Sequence, residues 1–189
     1  SSNNKWSLYG AMRAAAQIVS YEIPISLSLL LVVLVTGSLH LGDIVQWQSD
    51  NRWFIIHSPF SFVAFFIFFI SVVAETNRTP FDIPEAESEL VAGWMTEYSG
   101  FRWALFFLSE YASMLIVSIV AAIVFLGGWL SPLHILNIFP TSWQILDGPI
   151  LGLFWIFAKA ALLIFVMMWF RWTFPRLRVD QLMYVCWKV

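Results

Sequence analysis

Long apolar runs separated by short polar segments set the pattern of this chain. A helix needs about 20 apolar residues to cross the hydrocarbon core of a bilayer. On that measure the sequence predicts spans at residues 18–36, 54–74, 103–126 and 150–170. A further span is expected to start near residue 180, where LMYVCWKV opens a new apolar run. An amphipathic lead-in from Ser7, carrying Arg13, precedes the first span, and Gly37 ends it. The second is dense in phenylalanine. The third stops at Gly127-Gly128, and the fourth follows the turn Asp147-Gly148-Pro149. Each span is expected to be helical, because a backbone in hydrocarbon must satisfy its own hydrogen bonds, and the alternation of barrel strands is absent. The expected fold is an all-α integral membrane protein. It forms one membrane domain over residues 1–189, a bundle of four transmembrane helices plus the start of a fifth, with an acidic loop helix within residues 75–102.

Composition strengthens the membrane reading. Hydrophobic residues make up 60% of the chain, charged residues 12%, and the mean hydropathy is +0.77. A soluble domain carries about 25% charged residues. Trp47, Trp53, Trp94, Trp103, Trp129, Trp143, Trp172 and Tyr184 cluster near span ends, the pattern of an interfacial aromatic belt. The lone cysteine, Cys186, excludes an internal disulfide and CxxC metal or iron–sulfur motifs, and reads as a small apolar residue. His40, His57 and His134 lie in separate loops without ligand spacing, and no nucleotide or HExxH motif occurs. No metal and no covalently bound cofactor are expected on this chain. The chain starts at Ser1 without a methionine or signal peptide and stops as an apolar run begins, so it reads as part of a longer protein.

Charge placement gives orientation. Lys5, Arg13, Arg78, Arg102, Arg171, Arg176, Arg178 and Lys188 fall on one side, Arg52 alone on the other, and Lys159 within a span. The positive-inside rule puts the acidic loop and the basic tail on the cytoplasmic or matrix side. Arg171, Arg176 and Arg178 read equally well as topology determinants or as site residues, because Asp180 is close enough to pair.

Seven of the twelve acidic residues fall between residues 75 and 110: Glu75, Asp82, Glu85, Glu87, Glu89, Glu97 and Glu110. Carboxylates are costly at a membrane boundary, so such a cluster is a functional hypothesis, and proton handling suits it. Asp82, Pro84 and Glu85 read as a helix start, and Asp82, Glu85 and Glu89 share one face. Complementing the helix dipole would account for Asp82 and Glu85, less well for Glu87 and Glu89, and not for Glu75 or Glu110. Glu22, Glu110 and Lys159 lie inside spans. At a lipid-facing centre each costs about 2.5–3.5 kcal/mol, so they are expected to face the bundle interior, pair, or line a wet cavity. Interfacial reach for Glu22, a structural hydrogen bond for Glu110 and snorkelling for Lys159 are the plainer alternatives.

Several motifs occur in order: Glu75-Thr-Asn-Arg-Thr-Pro-Phe-Asp, Glu85-Ala-Glu-Ser-Glu-Leu-Val-Ala-Gly, Glu97-Tyr-Ser-Gly and Phe106-Phe-Leu-Ser-Glu-Tyr. Arg13-Ala-Ala-Ala-Gln, Ser20-Tyr-Glu and Pro175-Arg-Leu-Arg-Val-Asp-Gln-Leu-Met accompany them. Together they closely resemble the quinone-site membrane subunit of respiratory complex I, NADH:quinone oxidoreductase, over essentially the whole chain. Trp94-Met95-Thr96 departs from the more polar stretch expected there. Members of the family have eight transmembrane helices, and the resemblance places this chain on the fourth to seventh plus the start of the eighth.

The resemblance implies a proton-translocating oxidoreductase subunit with no activity alone. Quinone, ubiquinone or menaquinone, is its substrate, while NADH, FMN and iron–sulfur clusters sit on partner subunits. Arg78, Asp82, Glu85, Glu87, Glu89, Arg176 and Asp180 would line the quinone cavity and its acidic loop. Glu22, Glu75, Glu97, Glu110 and Lys159 would form a proton path, with Arg13, Arg102, Arg171 and Arg178 as supporting charge. Implied partners are peripheral-arm quinone-site subunits, small membrane subunits, antiporter-like subunits and lipid, with no nucleic acid. The implied location is a bacterial plasma membrane or a mitochondrial inner membrane. The membrane subunit of a membrane-bound hydrogenase and a non-redox proton or ion transporter are the competing readings.

Overall fold

The structure, a computed structural model, describes residues 5–76, 78, 81, 99–132, 149–175, 181, 184 and 188. The predicted acidic loop helix, the charged residues Asp82, Glu85, Glu87, Glu89, Glu97, Arg176, Arg178 and Asp180, and most of the predicted fifth span lie outside them. The described residues form six helices: α1 (Lys5–Thr36), α2 (Leu41–Asp50), α3 (Phe54–His57), α4 (Pro59–Glu75), α5 (Phe101–Phe125) and α6 (Pro149–Thr173).

Three are long and apolar enough to cross a membrane, over Ser7–Thr36, Phe101–Phe125 and Ile150–Thr173. These match the first, third and fourth predicted spans. The first is longer than expected. Helix α1 runs unbroken from its amphipathic lead-in through Pro24, forgoing the one helical hydrogen bond that a proline cannot donate. The second predicted span is divided. Ser58 is fully extended, at φ −147° and ψ 150°, and breaks the run into α3 and α4. The cause is local, since the residue before a proline is pushed out of the helical region. The remaining α4 has 17 residues. The described residues thus hold three full-length apolar helices and one shorter one, which does not confirm the expected count of four spans plus the start of a fifth. Helix α2 is an addition to the expected elements, because Asp43, Gln46, Gln48 and Asp50 make its sequence read as a loop.

Two compact units can be distinguished. One comprises residues 1–25, 70–114 and 166–189, the other residues 26–69 and 115–165. In the second unit, the side chain of Phe125 is fully buried against three aromatic rings, with centroids 5.9 Å away for Phe54, 5.5 Å for Phe65 and 5.3 Å for Phe68. Lipid tails are as apolar as these rings, so close packing rather than expulsion of water holds helices together here. One polar side chain joins three elements of this core. Gln48 is fully buried, and its Nε2 donates to the carbonyls of Ile123 (3.1 Å) and Val124 (3.0 Å). Its Oε1 accepts from the backbone N–H of Phe54 at 3.2 Å.

In the first unit, Gln17 plays the equivalent part. It is buried on α1, and its Nε2 donates to the carbonyls of Ala74 (2.6 Å) and Phe81 (3.0 Å). One turn further along α1, the Tyr21 ring packs against Phe81 at 5.8 Å. The end of α4 and the turn after it are thereby fixed to α1. Gln17→Leu removes both bonds and strands two carbonyls in an apolar setting, a loss of about 1–3 kcal/mol. It is expected to lower the heat-unfolding midpoint of the purified assembly, and an unchanged midpoint would contradict this bracing role.

Candidate functional site

The turn held by Gln17 presents Arg78. Its backbone N–H donates to the Val73 carbonyl at 3.3 Å, and its own carbonyl accepts from Phe81 at 2.7 Å. The side chain is only 6% exposed. A buried guanidinium needs a counter-charge, because an isolated charge in a medium of low polarity is strongly disfavoured. Glu110 supplies it: Arg78 Nε lies 3.0 Å from Glu110 Oε1. The same Nε lies 2.9 Å from the sulfur of Met114, and the guanidinium carbon sits 4.3 Å from the Tyr111 ring centroid. Glu110 and Met114 stand four residues apart on α5, so one helical face carries both partners. Arg78 Nη2 has no hydrogen-bond partner among the described residues.

A cavity of about 170 Å³ adjoins this pair, lined by Arg78, Tyr111 and Met114 together with Met167, Met168, Arg171 and Trp172 of α6. The structure therefore brings together three of the residues singled out from sequence, Arg78, Glu110 and Arg171. Glu110 is half-buried and Arg171 exposed.

Glu22 and Glu75 form a second grouping in the same unit. Both are exposed, one on α1 and the other at the last position of α4. Arg13 is half-buried on α1 and Arg102 exposed at the start of α5.

Lys159 belongs to the other unit and has different surroundings. It is buried near the middle of α6. Its Nζ donates to the carbonyls of Leu126 at 2.7 Å, Gly128 at 2.9 Å and Leu130 at 2.6 Å. It also stands 4.2 Å from the centroid of the Trp53 ring. Sequence reasoning singles out the lysine but misses its partners. The ring that covers it, Trp53, reads from sequence only as part of the interfacial belt. Gln17 is missed as well, although a glutamine four residues before Tyr21 inside an apolar run is a legible sign of a buried bond.

Comparison with known proteins gives the family of the chain. The family profile described as NADH dehydrogenase matches residues 1–189. The H subunit of NADH-quinone oxidoreductase from Chlorobaculum tepidum is 55% identical over 192 residues, covering 100% of this chain and 53% of that protein. The corresponding protein of Geobacillus sp. (strain WCH70) is 55% identical over 188 residues, covering 100% and 52%. That of Bacteroides fragilis is 50% identical over 189 residues, covering 99% and 51%. The chain thus spans about half the length of the curated relatives it matches, and it belongs to the NADH dehydrogenase family of membrane subunits.

Proposed function

We propose that this chain forms part of the membrane subunit of a proton-translocating NADH:quinone oxidoreductase, complex I, contributing to the quinone cavity and to a path of glutamates leading away from it. The ion pair of buried Arg78 with half-buried Glu110, at 3.0 Å beside a cavity, carries the mechanistic part of the reading. The similarity of the whole chain to the NADH-quinone oxidoreductase relatives supports the rest.

Reducing a quinone with two electrons creates negative charge that takes up two protons. The electrons come from NADH through FMN and iron–sulfur clusters held by partner subunits. Arg78, Asp82, Glu85, Glu87, Glu89, Arg176 and Asp180 form the wall and acidic loop of the quinone cavity, and Arg13, Arg102, Arg171 and Arg178 balance the charge. A row of carboxylates shares protons unevenly, because neighbouring negative charges and burial disfavour full ionisation. New negative charge on the quinone draws protons and arginine side chains toward it. Glu110 then exchanges its partner in Arg78 for a proton, and Glu97, Glu75 and Glu22 carry the change onward. Glu22 of α1 and Glu75 at the end of α4 belong to one unit with Arg78 and Glu110, which suits them to that task. The partners are peripheral-arm quinone-site subunits, small membrane subunits and antiporter-like subunits, with lipid around them. The location is a bacterial plasma membrane, as the named relatives are bacterial, with the acidic loop and basic tail on the cytoplasmic side.

The test is NADH-driven quinone reduction by the intact assembly, drawn from native membranes through this protein, with and without a quinone-site inhibitor. Inhibitor-sensitive reduction is expected. A hydrogenase partner without quinone activity would move the assignment to the hydrogenase relative, and no redox partner at all to a transporter. In the active assembly, Glu87→Gln is expected to weaken coupled turnover while the complex still assembles, and normal pumping would remove Glu87 from the site.

A further inference from the structure

The three carbonyls around Lys159 lie at and just beyond the C-terminus of α5. A helix C-terminus carries partial negative charge, and its last carbonyls have no donor within the helix. Gly128 and Leu130 are buried, so their carbonyls need a donor from the protein. The chain turns back there through Gly127 at φ +75° and Gly128 at φ +53°, which aims the carbonyls of Leu126, Gly128 and Leu130 at one point. The Trp53 ring closes the site with its electron-rich face. Three oxygens, a helix end and a π face together describe a site for a monovalent cation, and the Lys159 ammonium fills it. An ammonium has three N–H donors for the three oxygens. A neutral amine has only two, and turns its lone pair on the third oxygen.

We propose that Lys159 is a tethered cation in a monovalent-cation site, a positioning residue that fixes the end of α5, and not a carrier of translocated protons. The three carbonyls and the Trp53 ring belong to the rest of the chain, so they persist when the tether is cut. Lys159→Ala in the full-length protein leaves a cradle that takes potassium or sodium. Those ions have the charge of the ammonium and no proton to give, which separates positioning from proton transfer.

The experiment compares wild-type and Lys159→Ala assemblies in choline chloride and in potassium chloride at equal ionic strength. The heat-unfolding midpoint and proton translocation per NADH are read together. The midpoint depends only on the site. Translocation rests on the function proposed above, so failure of that function leaves the midpoint result standing. In choline, Lys159→Ala is expected to lose several degrees of midpoint and several-fold in translocation. Potassium is expected to restore most of both, with wild type indifferent to the salt. Failure of potassium and sodium to raise the midpoint overturns the proposal. Restoration of translocation by ammonium but not by potassium overturns it too, as does a variant identical to wild type in choline. If Lys159→Ala is not recovered as an assembly, Lys159→Gln serves instead, because its amide offers two N–H donors. Near-normal coupling of that variant supports the cradle, and an assembled but uncoupled variant, or no assembly, refutes it.

Discussion

Glu110→Gln is expected to lower coupled proton translocation by about a hundredfold to ten-thousandfold, the range for removing one positioned proton-transfer group, while the complex still assembles. The amide matches the carboxylate in shape and keeps an oxygen facing Arg78 Nε, 3.0 Å away in the ion pair. Only the charge and the titratable proton are lost. Removing one partner of a buried pair typically costs about 3–5 kcal/mol, because the other charge is left uncompensated. Arg78 escapes the full penalty. Tyr111 lies beneath its guanidinium, and it lines a cavity of about 170 Å³, room enough for several water molecules. Assembly is checked by native gel and translocation by pH-sensitive dye in proteoliposomes. Unimpaired coupling in an assembled Glu110→Gln complex would remove Glu110 from the proton path. Loss of assembly would make the ion pair a structural brace instead.

The second large effect is expected at Gly127. Its φ of +75° is a conformation that residues with a Cβ adopt at a cost of about 1–2 kcal/mol. A Cβ there would also lie 2.6 Å from Trp53 Nε1 and 2.8 Å from Trp53 Cδ1. Trp53 is 7% exposed and stands over Lys159, so the ring has little freedom to withdraw. Forcing an extra methyl into a packed site costs about a further 1–3 kcal/mol. Gly127→Ala is therefore expected to cut the yield of assembled protein sharply and to lower its unfolding midpoint. Gly37→Ala is the contrast: the strain is similar at φ +71°, but no atom lies within 4 Å of the added Cβ. Equal losses in the two variants would show that backbone strain alone governs, and that the contact with Trp53 is irrelevant.

How far the sequence foretells this molecule depends on which atoms make each contact. The three full-length apolar helices are legible because length and hydropathy alone define them. Pro59 is in plain view, yet the apolar residues on both sides of it mask the break at Ser58. Glu110 is singled out by its cost near hydrocarbon, and Arg78 and Arg171 by charge placement and the family resemblance. The pairing of Arg78 with Glu110 beside a cavity that Arg78 and Arg171 line is not legible, since 32 residues separate the first two and no pattern links them. Lys159 shows the limit most clearly. Its oxygens come from the backbone of Leu126, Gly128 and Leu130, and a backbone carbonyl leaves no trace in residue identity. The two buried glutamines are hidden in the same way, since both Gln17 and Gln48 donate to main-chain oxygens. In a bilayer the backbone is the most abundant acceptor, so polar side chains find partners that no search for complementary residues detects.

The break before Pro59 has a consequence for the surrounding lipid. With 17 residues, α4 rises only about 26 Å, against a hydrocarbon thickness of about 30 Å. Each ångström of hydrophobic mismatch costs a fraction of a kcal/mol, relieved by thinning of the bilayer or by strain at the ends of the helix. The C-terminal end of α4 leads directly into the turn that holds Arg78, and Gln17 clamps that turn at Ala74 and Phe81. Longer acyl chains are therefore expected to put the greatest mismatch on α4, and the turn that holds Arg78 begins at one of its ends.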